Sequence, residues 1–292
     1  MKNIHTLITD IQYLLTQRNW VTDELAGDLG HSVSTRLKEQ FVDRTALPKL
    51  RLSRMGPQCH CALWHSIHKP HLSEKMPPWA EFKFSFGHII EAQAIAFTKA
   101  AGHLVTGEQD EISVDGISGH RDCVIDGCIV DVKSANDRSY KGFKTKSIDE
   151  LDTWGYLSQL DGYLLGSQHD PLVTVKDKAY LLVIHKELGH MQLYEHRLRE
   201  NHIRERIRSH KEIVARSTPP LCTCPTIDDG QSGNVKLAYP ATYNTFKFCC
   251  FPNLRTFIYS GGPEYFVKVG KVPTYKGLPL LEIDKYGKSV YN

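Results

Sequence analysis

The 292-residue sequence has no stretch of about 18 or more apolar residues, so no transmembrane helix is expected and no membrane role follows. Its opening residues, Met1-Lys2-Asn3-Ile4-His5, lack the charged and apolar regions of a secretory signal, and the expectation is a cytoplasmic protein. No Gly-rich phosphate loop follows a predicted strand, which argues against Rossmann and P-loop nucleotide binders. There is no internal repeat, and with 41% apolar and 24% charged residues there is no bias toward disorder. Neither sign of charge is in large excess. A net charge of +3 permits nucleic-acid binding through a local patch without demanding it. In a reducing compartment the eight cysteines read as free thiols or metal ligands rather than disulfides, with Cys123 and Cys128 as small core residues.

What is present is a mixture of helical and strand periodicity. Apolar stripes predict two helices over 4–41, a short helix around Ala62-Leu63-Trp64, and a helix over 85–101 that buries Phe86, Ile89, Ile90, Ala94 and Phe97. Residues 69–83, with Pro70, Pro77 and Pro78, read as a loop. Three strands near 110–114, 117–125 and 128–134 follow, with Asp115-Gly116 and Asp126-Gly127 at the turns. Residues 136–146 read as a basic loop, residues 151–164 as a helix, and 179–195 as a second hairpin closed by Leu188-Gly189. A charged helix over 196–215 comes next, and an irregular region rich in Pro, Gly, Cys and aromatics runs from Pro219. This order describes a mixed α/β layer. The divisions expected are an N-terminal helical extension over 1–46, a core over 47–215 and a C-terminal lobe over 216–292.

The most informative stretch is Gly119-His120-Arg121-Asp122 followed by Asp131-Val132-Lys133. With Ile125 and Cys128 flanking a two-residue Asp126-Gly127 turn, Asp122 lies opposite Asp131 and His120 opposite Lys133, all on one face. Directly opposed residues have Cβ atoms about 4.5–5.5 Å apart, and like charges there are destabilising unless something sits between them. A divalent cation is the usual reason for such a pair; a solvated, charged hairpin face is the alternative. Asp122 and Asp131 can hold Mg2+ or Mn2+, the carbonyl of Val132 can add an oxygen, and Lys133 can position a water or stabilise developing charge. Glu91, on the preceding helix one turn after Gly87, is a candidate further ligand, or an ordinary surface glutamate.

Four segments together resemble the successive motifs of the PD-(D/E)XK nucleases, in the branch of RecB-like exonucleases that includes phage and CRISPR-adaptation enzymes. They are Gly87-His88-Ile89-Ile90-Glu91, Gly119-His120-Arg121-Asp122, Asp131-Val132-Lys133 and Gln159-Leu160-Asp161-Gly162-Tyr163. The resemblance implies a restriction-endonuclease-like core, a mixed central sheet flanked by helices. It implies that Glu91, Asp122 and Asp131 bind metal, that Lys133 assists catalysis, and that Gln159 and Tyr163 line the site from one helix face, as their spacing allows. Leu50-Arg51-Leu52-Ser53-Arg54 resembles the motif that opens the domain in this branch, with Arg51 and Arg54 in reach of phosphate. From the residues themselves, Lys141, Lys144 and Lys146 around Phe143 suit backbone neutralisation and base stacking.

Many members of this branch clamp the C-terminal region with a [4Fe–4S] cluster. Cys59 or Cys61 would be the early ligand here, with Cys222, Cys224, Cys249 and Cys250 behind the domain. The adjacent Cys249-Cys250 and the Cys-x-Cys pairs depart from the usual spacing, and Ala241 and Asn244 stand where thiolates are expected. The preferred reading is a lobe packed by Phe246, Phe248, Phe251, Phe257 and Tyr259 without a cluster, with a [4Fe–4S] cluster or Zn2+ as the alternative. The expected activity is a Mg2+- or Mn2+-dependent DNA exonuclease acting at single- or double-stranded ends, in phage or recombination-type processing, with a homo-oligomer or recombination partner conceivable. The alternatives are a catalytically silent DNA-binding or assembly protein on the same fold, or a structure-specific endonuclease.

Overall fold

The computed structural model describes residues 2–42, 48–145 and 152–290. In chain order the helices are α1 (Leu7–Thr16), α2 (Asp23–Phe41), α3 (His60–His68), α4 (Pro78–Ala100), α5 (Asp137–Lys144), α6 (Tyr156–Gly166), α7 (Glu200–Val214) and α8 (Lys247–Cys250). The strands are β1 (Val105–Thr106), β2 (Glu111–Val114), β3 (Ile117–His120), β4 (Cys123–Ile125), β5 (Cys128–Ala135), β6 (Lys178–His185), β7 (Met191–Arg197), β8 (Thr226–Asp228), β9 (Val235–Leu237), β10 (Arg255–Tyr259), β11 (Gly262–Lys268), β12 (Thr274–Tyr275), β13 (Leu278–Pro279) and β14 (Glu282–Ile283). They fall into two compact units: residues 1–56 with 76–207, and residues 57–75 with 208–292. None of the described helices is long and apolar enough to cross a membrane.

The first unit is mixed α/β, with a central mixed sheet flanked by helices. Its strand order is β1-β4-β5-β6-β7, antiparallel except for the β5–β6 pair. The middle strand, β5, shows why its sequence is apolar on both parities. Cys128, Val130 and Val132 pack with Ile4, Leu7 and Ile11 at the N-terminus and with Ala94 and Ile95 of α4. Ile129 and Ala135 pack on the other face with Phe143, Leu157, Leu160, Tyr163, Ile203 and Ile207. A strand covered on both sides reads as a continuous apolar run, and Asp131 and Lys133 are the exceptions within it. The turn before β5 is type I′, with positive φ at both Asp126 (49°) and Gly127 (80°). It is pinned from outside by His103, whose Nδ1 lies 2.6 Å from Asp126 Oδ2.

Several expectations are corrected. The strand expected over 117–125 is broken: β3 pairs with β2 in a separate two-stranded ladder, and β4 starts at Cys123. The break is at Arg121, which turns inward and is 1% exposed. The hairpin register is as expected as far as Cys123 opposite Val130, but it ends there. Asp122 is therefore not strand-paired with Asp131, and His120 faces Glu111 of β2 instead of Lys133. The basic loop over 136–146 is a helix over its described part. Asn136 caps it by accepting from the Ser139 amide at 2.9 Å, and Asp137 lies in its first turn, an N-terminal signature that outweighs Gly142. The proline-rich segment ends earlier than expected, since Pro78 occupies the first turn of α4, where a missing N–H costs nothing. The stripe assigned to α4 holds only toward its C-terminal end, where Ala94 is buried and Phe97 packs against the core. Phe86 and Ile89 are exposed, and the small residues Ala92, Ala94 and Ala96 with Ile95 face inward. The apolar stripe of α2 buries no residue.

In the second unit the sheet order is β14-β10-β11-β9-β8. Phe257 and Phe266 are fully buried and meet edge to face at 5.5 Å between centroids. Phe246 is buried, Phe248 and Phe251 pack on the Leu237, Ala241 and Leu254 cluster, and Tyr259 stacks on Phe266.

Candidate active site

The residues expected to carry chemistry gather where β4 stops short of β5. Beyond Val130 the β4 side of β5 has no strand partner, so the amide of Val132 is left open there. Asp122, the residue just before β4, takes that place: its Oδ2 accepts from the Val132 amide at 2.8 Å. In a ladder one residue exchanges both its N–H and its C=O with the same neighbour, so the Val132 carbonyl faces this same open edge. Asp131, one residue back, points to the face carrying α6 and is 1% exposed. Its Oδ1 accepts from Gln159 Nε2 at 3.2 Å, and Lys133 Nζ lies 2.6 Å from its Oδ2. Glu91 comes from α4, on the opposite face. Three carboxylates thus approach one notch from one face, the other face and the edge between them.

The supporting groups explain the fourth motif. Gln159 also donates to the Tyr163 hydroxyl at 2.8 Å, and that hydroxyl donates to the His120 carbonyl at 2.5 Å. Gln159 and Tyr163 therefore orient Asp131 and tie β3 to α6. The approach is close. A Cβ on Gly119 would sit 2.9 Å from Leu52 Cβ and 3.1 Å from Tyr163 Cε1, and one on Gly162 would crowd the same leucine. Gly87 has no such role, because a Cβ there would meet only Ser134 Oγ at 3.9 Å. Arg121 and Asp161, the other charged motif residues, are anchors. Asp161 is fully buried and accepts from His196 Nε2, the Arg199 amide and the Arg199 guanidinium at 2.7–2.9 Å.

Three contributors were not legible in the sequence. Arg36 of α2 donates to Glu91 Oε1 at 3.0 Å, and Gln109 donates to the same oxygen at 3.0 Å. Tyr156 lies under Lys133, with Nζ 5.0 Å from the ring centre. Tyr156 shares a helix face with Gln159 and Tyr163, a spacing that could have flagged it; nothing local points to Arg36 or Gln109.

The electrostatics are those of crowded acids. Burial, then Asp131 and Glu91, push the Asp122 carboxyl well above its usual range, with Lys133 and the Val132 amide pulling the other way. Burial likewise raises Glu91; Arg36 offsets this and Asp131 adds to it. Burial alone would drive a proton from Lys133, but Asp131 and Asp122 outweigh it and hold the ammonium charged. Hard carboxylate and carbonyl oxygens around a notch of excess negative charge are the donors that Mg2+ and Mn2+ take. The carboxylates are not drawn together as a set, since Arg36 and Gln109 hold Glu91 and Lys133 holds Asp131. Among the described residues, the only three or more His, Cys, Asp or Glu side chains whose ligand atoms all lie within 4.8 Å of one another are Cys59, Cys222, Cys224 and Cys250. Cys61 and Cys249 stand outside that group.

Of the residues assigned to DNA contact, Phe143 is corrected. It is 4% exposed and packed between Tyr156 and Tyr194, so it cannot stack on a base. Lys141 is exposed and paired with Asp137 at 2.7 Å, Lys144 is exposed one turn on, and Lys146 lies outside the described residues. Arg54 is exposed in the turn after Leu52, and Arg51 bridges β3 at Ser118.

A raised carboxyl pKa has a sign that can be tested. Below the unfolded value of about 3.9, Asp122 is protonated in both states and contributes nothing. As pH rises past that value, the unfolded chain releases the proton first, so stability falls until the folded carboxyl also ionises. Asp122→Asn keeps an acceptor for the Val132 amide and removes the charge. In EDTA it should raise the urea midpoint at pH 7, and the gain should shrink toward pH 4. A lower midpoint, or a difference independent of pH, would contradict this charge balance.

No protein-family model matches the chain, and no curated protein matches it. Among solved structures, the chain aligns with that of SSO0001 at 16% identity and a TM-score of 0.41, over 76% of this chain and 95% of the other. It also aligns with an alkaline exonuclease (LHK-Exo) from Laribacter hongkongensis at 14% identity and a TM-score of 0.38, over 66% and 91% respectively. At these values the likeness says nothing about activity, which has to be argued from the residues.

Proposed function

We propose that the protein is a metal-dependent deoxyribonuclease that removes nucleotides from DNA ends. The observation that supports this best is the notch at β5, where Asp122 accepts from the Val132 amide, Lys133 lies 2.6 Å from Asp131, and Asp131 and Glu91 both disfavour charge on Asp122. A bound divalent cation would supply Lewis acidity toward a phosphate oxygen and a more acidic water. Glu91, Asp122, Asp131 and the Val132 carbonyl are the groups that would hold it.

The protein's own residues do the rest. Lys133 sits on the Tyr156 ring and beside Asp131, and it brings a positive charge to the phosphate as negative charge develops there. Gln159 fixes one oxygen of Asp131, and Tyr163 fixes Gln159, so the carboxylate keeps its aim without a substrate present. Arg36 and Gln109 hold Glu91 ready on the opposite side.

The test uses end-labelled linear DNA, single- and double-stranded, beside a covalently closed circle. Linear DNA should be degraded with Mg2+ or Mn2+, EDTA should stop the reaction, and the circle should survive. Cutting of the circle would replace the exonuclease with an endonuclease, and inertness toward every substrate with either metal would remove the nuclease reading.

A further inference from the structure

The second unit brings four cysteines together from three separate places in the chain. Cys59 stands at the residue before α3, Cys222 and Cys224 precede β8, and Cys250 ends α8. All four are half-buried and none forms a disulfide. Cys59 Sγ lies 3.6 Å from Cys222 Sγ and 3.7 Å from Cys250 Sγ, against about 2.05 Å for a covalent S–S bond. Thiols are weak hydrogen-bonding groups, so mutual S–H contacts are a poor reason to gather four of them. A shared cation is a good one.

The sulfur spacing distinguishes between cations. Four thiolates on one tetrahedral Zn2+, at about 2.3 Å each, stand about 3.8 Å from one another. The two measured pairs match that edge, and every pair lies within 4.8 Å. A [4Fe–4S] cluster places each thiolate on a different iron, and so spreads the sulfurs well beyond the separation that one shared ion imposes. The Cys222-x-Cys224 spacing serves a single ion without difficulty. We propose that Cys59, Cys222, Cys224 and Cys250 form a mononuclear tetrathiolate site for Zn2+, in place of the iron–sulfur cluster that the family resemblance implies.

The surrounding donors fit this assignment. Asn244 Nδ2 donates to Cys224 Sγ at 3.2 Å and to Cys250 Sγ at 3.5 Å, and the Cys224 amide donates to Cys222 Sγ at 3.4 Å. Four thiolates on one Zn2+ leave a net negative charge, which such N–H donors offset while orienting the ligands. Asn244 stands where the resemblance leads one to expect a thiolate, and here it supports the ligands instead of being one. Closing chain segments as distant as Cys59 and Cys250 through one ion makes metal binding part of the folding free energy of this unit.

The experiment is metal and sulfide analysis of the full chain, expressed with both zinc and iron supplied and purified without oxygen or chelators. About one zinc per chain is expected, without acid-labile sulfide or the brown colour of a cluster. Exchange into Co2+ should give the intense visible bands of a tetrahedral thiolate site. Cys222→Ser and Cys250→Ser should each lower zinc retention by roughly tenfold or more, whereas Cys61→Ser and Cys249→Ser should retain it. Iron with matching sulfide, or a folded chain free of metal, would overturn the proposal. So would equal zinc retention in all four variants. If Cys222→Ser does not fold, the metal and sulfide content of the unaltered protein decides.

Discussion

Asp131→Asn is expected to lower cleavage of linear DNA by about 10²–10³-fold or more in a chain that still folds. The side chain is almost fully buried, and the amide fills the same volume and can still accept from Gln159. What it loses is the charge that a divalent cation and Lys133 both require. Lys133→Ala should cost a comparable factor by a different route, since it leaves the carboxylates in place and removes the ammonium that lies 2.6 Å from Asp131. Rates should be measured at saturating Mg2+ and again with Mn2+, with a urea titration of each variant beside them. Near-normal turnover in Asp131→Asn would end the assignment of this notch as the active site. Slow turnover with a cooperative urea transition retained is the result expected.

Arg121→Ala is expected to be the most destabilising single change in the motif segments, by about 3–5 kcal/mol, the usual cost of breaking a buried ion pair from one side. Arg121 is the largest of the fully buried side chains. Its Nη1 reaches Asp170 Oδ2 at 2.5 Å, its Nη2 reaches Asp110 Oδ2 at 2.7 Å, and its Nε donates to the Gly107 carbonyl at 3.2 Å. Truncation leaves a cavity and removes the counter-charge from Asp170, which is largely buried, and from the half-exposed Asp110. Arg121→Lys should recover only part of the loss, because one ammonium cannot reproduce three fixed N–H directions. Urea denaturation of both variants measures this. A change under about 1 kcal/mol would mean that water replaces the guanidinium without penalty.

These two residues lie in consecutive motifs and do opposite kinds of work, which bears on what could be read in advance. The type I′ turn at Asp126-Gly127, the apolar run of β5 and the second hairpin were legible because they depend on local backbone preference and period-two burial. Asp131 and Lys133 were legible because strand alternation places them on one face, whereas Gln159 and Tyr163 were pointed to by the family resemblance and helical spacing only allowed them a shared face.

The remainder was settled by tertiary contacts. Arg121 looked like one more charge in a strand, yet its burial against Asp110 and Asp170 breaks that strand. The break frees the β5 edge that Asp122 fills, so Asp122 enters the notch at an edge and not across a ladder. Asn136 and Asp137 carried a capping signal that the lysines after them obscured, and burial of Phe143 depends on Tyr156 and Tyr194 from distant segments. Arg36, 55 residues from Glu91, and the meeting of Cys59 with Cys222 and Cys250, carry no local signal. Residue chemistry and local periodicity named the side chains able to act and the shared face of Asp131 and Lys133, but not the place of Asp122. Which of them meet was decided by long-range packing, because a contact between residues far apart in the chain leaves no periodicity behind.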